Sequence, residues 1–353
     1  MLSKQRTGIL LHLLYQQTPK NPNPKNAKHL KIMRILQNIG LVLLLLLTGW
    51  GCRKDVDTFR PFSISVADIT LALQQVPEPN STSLLMLQNQ QADTIFTTPG
   101  GVRIFLSDLD HLFVNASGTV VPCSTCPTFR LEVVEVKTKG DLIARNTGTV
   151  TPGNQVLESG RVLHLKATCN GEELALAQDK LLKIQIPAEQ PLVANQVFSN
   201  PAGTANDNFT GWSGTSEPVV NAEWSIANGS AFQLGYQLNS PELQWICAGR
   251  LLEEANSSFC LNLPLGFSDQ NTKAFMVFKN IRSVLPLTYD AADFRFCASI
   301  VPEGFPVQLL SISKLGNQYW MGYKDVETGA TGSTTIEPQK VTEQQVIDFI
   351  KNL

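Results

Sequence analysis

Six cysteines beyond position 52 hold most of the reactive chemistry in this chain. Cys123 and Cys126 form a Cys-Ser-Thr-Cys string ahead of an alternating strand that begins at Phe129. Between a strand and a helix that spacing suits thiol–disulfide exchange, but no helical pattern follows it here. In an exported chain it predicts a structural disulfide, local or across strands. Cys169 can pair with one of the two, whereas Cys247, Cys260 and Cys297 leave one odd thiol. The connectivity stays open at this level.

Only His111 and His164 are available beyond position 52. A zinc site takes about four N, S or O ligands, and neither histidine stands in ligand spacing. His164 is expected to be exposed on the polar face of a strand. Asp108 and Asp110 offer carboxylates, but a calcium shell wants about six to eight oxygens and the local loop holds few more, so a solvated loop is expected. Ser311 and Lys314 match the serine–lysine spacing of penicillin-binding enzymes. That chemistry needs the serine at a helix start with two partner motifs, and neither motif occurs. Nor is there a G-x-S-x-G string, a phosphate loop or a dinucleotide fingerprint. No catalytic residue, metal or cofactor is assigned. Among Trp212, Trp224, Trp245 and Trp320, the strand positions Trp245 and Trp320 are expected in the core. Trp212 lies in a Gly-rich stretch and is the candidate exposed contact for a glycan or a partner.

The sequence from Met33 to Cys52 has a different character. It runs from basic Arg34 through an apolar stretch, Ile39 to Leu47, to Gly51-Cys52. The apolar part is too short for a helix to cross about 30 Å of hydrocarbon, and its layout is that of a secretory signal. A cysteine directly after small residues offers a thiolate that a lipid can alkylate. The string resembles a bacterial lipoprotein signal, which implies Cys52 as the lipid-bearing residue. Residues 1–51 then form the signal region, with a start expected at Met33, and residues 52–61 form a tether.

Charge supports the same division. Residues 1–51 carry seven basic and no acidic side chains, leaving 21 basic against 30 acidic residues from Cys52 onward. The whole chain has a net charge of −2, with 43% hydrophobic and 16% charged residues. That composition excludes a wholly disordered chain and gives no footprint of a nucleic-acid binder.

Period-two alternation dominates after Phe62. Phe129, Leu131 and Val133 alternate with polar residues, as do Leu163 and Leu165, and Leu182, Ile184 and Ile186. Asn170-Gly171 predicts a tight hairpin turn. The expected fold is all-β: two antiparallel β-sandwich-like domains with a short C-terminal helix. The boundaries predicted are a sandwich over 62–190, a Gly- and Pro-rich linker over 191–222, and a second β-rich domain over 223–353. Leu315-Gly316-Asn317 reads as a hairpin tip. Thr342 and Gln345 form a capping pair for the terminal helix, whose apolar stripe is Val346, Ile347, Phe349 and Ile350.

Thr97-Thr98-Pro99-Gly100-Gly101-Val102-Arg103-Ile104, Lys139-Gly140-Asp141-Leu142-Ile143 and Asn170-Gly171-Glu172-Glu173-Leu174 resemble a β-sandwich domain of Bacteroidota outer-membrane lipoproteins, itself similar to the sandwich of ankyrins and netrin receptors. Trp245-Ile246-Cys247 is similar to the opening of a second domain in such proteins. The resemblance implies a lipid-anchored protein at the outer membrane, on its periplasmic side or at the cell surface. Its motifs are turn glycines and core positions rather than chemistry. The function expected is non-enzymatic presentation of an interaction surface to protein or envelope partners. A glycan-binding accessory role is the alternative. A hydrolase or a self-cleaving sandwich is a weaker reading, because His111-Leu112-Phe113 lacks the serine that self-cleavage needs.

Overall fold

A computed structural model describes residues 66–88, 93–193, 195–200, 211–226 and 231–353. Cys52, the signal region and the tether lie outside the described residues. Pro61–Leu353 forms one compact unit. The described residues are all-β with three short helices, the last at the C-terminus.

The first sheet has twelve strands: β1 (Thr82–Leu87), β2 (Thr94–Thr97), β3 (Arg103–Leu106), β4 (Phe113–Val114), β5 (Phe129–Val136), β6 (Leu157–Cys169), β7 (Glu172–Leu176), β8 (Leu182–Pro187), β9 (Gln196–Asn200), β10 (Ser213–Ile226), β11 (Ala231–Ser240) and β12 (Gln244–Leu251). Its main path runs β1-β5-β6-β12-β9-β10-β11-β8-β3-β2, with β4 and β7 attached beside β6. β10 turns the corner. Its first residues pair with β9, the register shifts between Gly214 and Pro218, and Val219–Ile226 pair with β11 instead. The sheet thereby folds onto itself. Leu131, Val133, Leu163 and Leu165 from one half share a core with Ile104, Ile184, Ile186 and Leu238 from the other. Asn170 and Gly171 both adopt positive φ, as the β6–β7 hairpin turn requires.

The second sheet holds β13 (Asn256–Asn262), β14 (Thr272–Phe278), β15 (Val284–Asp290), β16 (Arg295–Pro302), β17 (Pro306–Leu315), β18 (Gln318–Glu327), β19 (Ser333–Thr335) and β20 (Gln339–Val341). It is ordered β19-β13-β16-β15-β14-β17-β18-β20. Its two edge strands are consecutive in the chain, and Ile336 between them enters the core on the concave side. The sheet therefore curls toward a barrel.

A third apolar layer joins the two sheets. The outer face of β5, β6 and β12 (Val136, Val162, Trp245) and one face of β14, β17 and β18 (Val277, Ile312, Tyr319) bury α1 (Val66–Leu73), α2 (Lys139–Ala144) and α3 (Glu343–Lys351) together. Thr149 exchanges hydrogen bonds with Val284 across this layer, and the Ser283 hydroxyl donates to the Leu157 carbonyl at 2.7 Å. Of the segment expected as a linker, Gln196–Asn200 form β9 and Ser213 onward form β10. The glycines and prolines there serve a strand that bends between two halves of a sheet rather than a free connection.

Candidate functional site

The tryptophan proposed for an exposed contact is in the core. Trp212 is fully buried, and its ring nitrogen donates to the Gly148 carbonyl at 2.9 Å. Gly211 just before it adopts φ +112, and a Cβ there would press on Pro152 at 2.7 Å, so the glycine allows the approach that seats the indole. Trp245 is buried as expected and Trp320 is half-buried beside Phe267 and Lys340. His164 is also corrected: it is 2% exposed, packed edge-on against Trp245 with its Nε2 3.3 Å from the Gln244 amide oxygen. Its strand has cores on both sides, so the polar face of the alternation is not a wet face.

The cysteines settle into two bonds. Cys126 pairs with Cys169, tying the Cys-Ser-Thr-Cys turn to the end of β6, and Cys260 pairs with its cross-strand neighbour Cys297. Cys123 and Cys247 are free and buried. Burial pushes the Cys123 thiol up to about 11 and the Cys247 thiol up to about 12.

The remaining chemical candidates do not assemble. His111 is exposed and bonds Asp108 at 2.8 Å, while Lys180 holds the other Asp108 oxygen at 2.6 Å. Those hydrogen bonds lower the Asp108 carboxyl. Asp110 accepts from the Ser124 amide. Among the described residues no group of three or more His, Cys, Asp or Glu could hold a metal ion. Ser311 and Lys314 lie on β17, where a spacing of three puts them on opposite faces. Ser311 is buried in the barrel-like core, and Lys314 turns outward to Asp68 at 3.1 Å.

Two other places carry unspent capacity, and neither was found from the sequence. The first is the β10–β11 hairpin. β11 pairs with β8 only from Gly235 onward, and Val219–Ile226 of β10 pair with β11 alone. Among the described residues this stretch of β10 has an open backbone edge, and Val220, Ile226, Phe232 and Leu234 around it are exposed, Phe232 at 68%. The alternating pattern was legible, but nothing in it says that one end of a hairpin outruns its neighbours.

The second is a pocket of about 240 Å³ at one end of the sandwich. Glu135 and Lys137 come from the end of β5, Arg161 from β6, Pro187 from the end of β8, and Gly100 from the turn before β3. The Glu135 carboxylate is buried and accepts from the Thr98 hydroxyl at 2.6 Å. It lies so close to Gly100 that a Cβ at that position would overlap it at 2.0 Å. A larger cleft of about 500 Å³ beside Gln196 and Leu252 is widely open, and its Arg250 is already paired with Glu158 at 2.7 Å.

No protein-family model, curated protein or solved structure matches the chain.

Proposed function

We propose that the chain is a non-enzymatic lipoprotein, anchored through Cys52 at the outer membrane, that docks a protein partner by strand addition along β10. The observation that carries the docking surface is the edge at Val219–Ile226, open among the described residues and flanked by exposed Val220, Ile226, Phe232 and Leu234. A row of unpaired backbone donors and acceptors is the chemical complement of another strand, and exposed apolar side chains beside it supply pockets and area. The anchor rests on the Met33–Cys52 sequence, and the two disulfides suit an oxidising compartment. The dispersal of His111, His164, Ser311 and Lys314 supports the non-enzymatic reading. The glycan alternative loses the residue it rested on, since Trp212 is interior.

The test is a photo-activatable residue in place of Phe232, irradiated in intact cells. A discrete adduct is expected, and Val220→Lys on the same hairpin should abolish it, because a charged lysine on an open edge opposes strand pairing. No adduct, or one indifferent to Val220→Lys, would overturn the docking surface.

A further inference from the structure

One end of the second sheet carries two apolar tips. β13 closes at Asn262 opposite Arg295, where β16 opens, and β15 closes at Asp290 against the same Arg295. β14 opens at Thr272 beside Ser313, near the close of β17. The β13–β14 loop, the β15–β16 loop and the β17–β18 hairpin therefore share that end. In the first loop the Phe267 amide donates to the Pro264 carbonyl at 3.4 Å and Gly266 adopts φ +101, which puts Leu265 at the tip of a tight turn. Leu265 is 92% exposed. Asn271, itself buried, braces the turn: it donates to the Gly266 carbonyl at 2.7 Å and accepts from the Ser268 amide at 3.0 Å. The second loop closes on Phe294, 63% exposed and held at φ +55, a conformation that a bulky side chain rarely takes. Both side chains are presented to the outside by defined turns.

The chain enters the compact unit at this same end. α1 begins at Val66, and Asp68 in its first turn pairs with Lys314, beside the β17–β18 hairpin, at 3.1 Å. The Asp68 carbonyl accepts from the Tyr319 hydroxyl at 3.2 Å. Residues 53–65 separate Val66 from Cys52 and reach about 45 Å at most. A lipid on Cys52 keeps the bilayer within that reach, so contact by the tips becomes an intramolecular event that needs little affinity of its own. The surroundings suit a lipid surface better than a protein one. A specific protein interface takes about 1,200 Å² or more of matched surface, whereas an apolar tip enters hydrocarbon singly. Arg295 next to Phe294 is already paired with Asp293 at 2.6 Å. Behind Leu265, Phe267 packs edge-on against Trp320, which the Lys340 ammonium overlies at 5.3 Å, an aromatic and a cation of the kind that sit at headgroup level.

We infer that Leu265 and Phe294 insert into the bilayer that holds the Cys52 lipid, a second point of attachment that fixes the orientation of the body on the membrane. This inference rests on the Cys52 anchor and is independent of strand docking along β10.

The test uses the full chain, purified with its lipid and reconstituted into vesicles of phosphatidylethanolamine and phosphatidylglycerol. Leu265→Cys and Phe294→Cys each carry a nitrobenzoxadiazole probe, and Glu303→Cys, exposed in the β16–β17 turn at the opposite end, is the reference. Cys123 and Cys247 are buried and do not compete for the label. Flotation is read first. In vesicles that float with the protein, the probes at 265 and 294 should shift to the blue and be quenched by lipids bearing a nitroxide on the acyl chain, while the probe at 303 does neither. Protein that floats with all three probes in water would overturn the insertion and leave the anchor standing. A blue shift that the acyl-chain nitroxide does not quench would put the tips against protein and overturn it too. Protein that fails to float removes the anchor, and the inference with it.

Discussion

Cys247 and Cys123 show how completely an environment can silence a reactive side chain. Both thiols are raised by burial, to about 12 and about 11, so at pH 8 fewer than about one in a thousand of either is the nucleophilic thiolate. Iodoacetamide should label neither in the native protein and both after denaturation. Native labelling of Cys247 at the rate of a free cysteine would contradict its placement. The same environment explains two misreadings. Trp212 sits among Gly, Asn and Pro, a composition that suggests an exposed loop, and His164 alternates with leucines, a pattern that suggests a wet face. Each is buried against distant chain: Trp212 against Gly148, 64 positions away, and His164 against Trp245 and against Gln244, 80 positions away. Local periodicity carries no trace of a cover supplied by distant chain. The pocket shares that cause, since Gly100, Glu135, Arg161 and Pro187 belong to four separate elements.

Elements whose geometry is set by adjacent residues were legible. The Asn170-Gly171 turn forms, the β17–β18 hairpin turns at Gly316-Asn317, and Thr342 with Gln345 makes the reciprocal cap that opens α3. α2 escaped notice even though Thr138 and Asp141 cap it in the same way, because six residues with a glycine inside show no helical period. That glycine is there for the contact between helices. A Cβ on Gly140 would come within 2.0 Å of the Ile350 carbonyl oxygen in α3. Helix propensity alone makes Gly140→Ala stabilising by about 1 kcal/mol. The clash is with backbone, which cannot swing away, so the substitution should instead lower the stability by about 1–3 kcal/mol in urea unfolding, the range for overpacking. A gain in stability would show that α2 and α3 do not meet this closely.

At the scale of the molecule, the all-β class was readable from alternation, whereas the strands within 191–222 were not. The stretch 191–222 resembles a linker in composition, yet β9 pairs with β12 and β10 pairs with β11, which in turn pairs with β8. A fragment ending at residue 190 would expose the inner strands β6 and β8 and uncover Val136 and Val162. Expressed alone, residues 62–190 should lack the dispersed amide NMR spectrum of a folded domain. A well-dispersed spectrum would restore the autonomous sandwich. We propose that this sandwich and its companion barrel-like sheet work from a lipid anchor. Metabolic labelling with a tritiated fatty acid measures it directly. The protein should incorporate label, partition into detergent with the outer membrane, and lose both properties on Cys52→Ser. Label retained at full strength by Cys52→Ser, or an unaltered chain that never acquires it, would contradict the account.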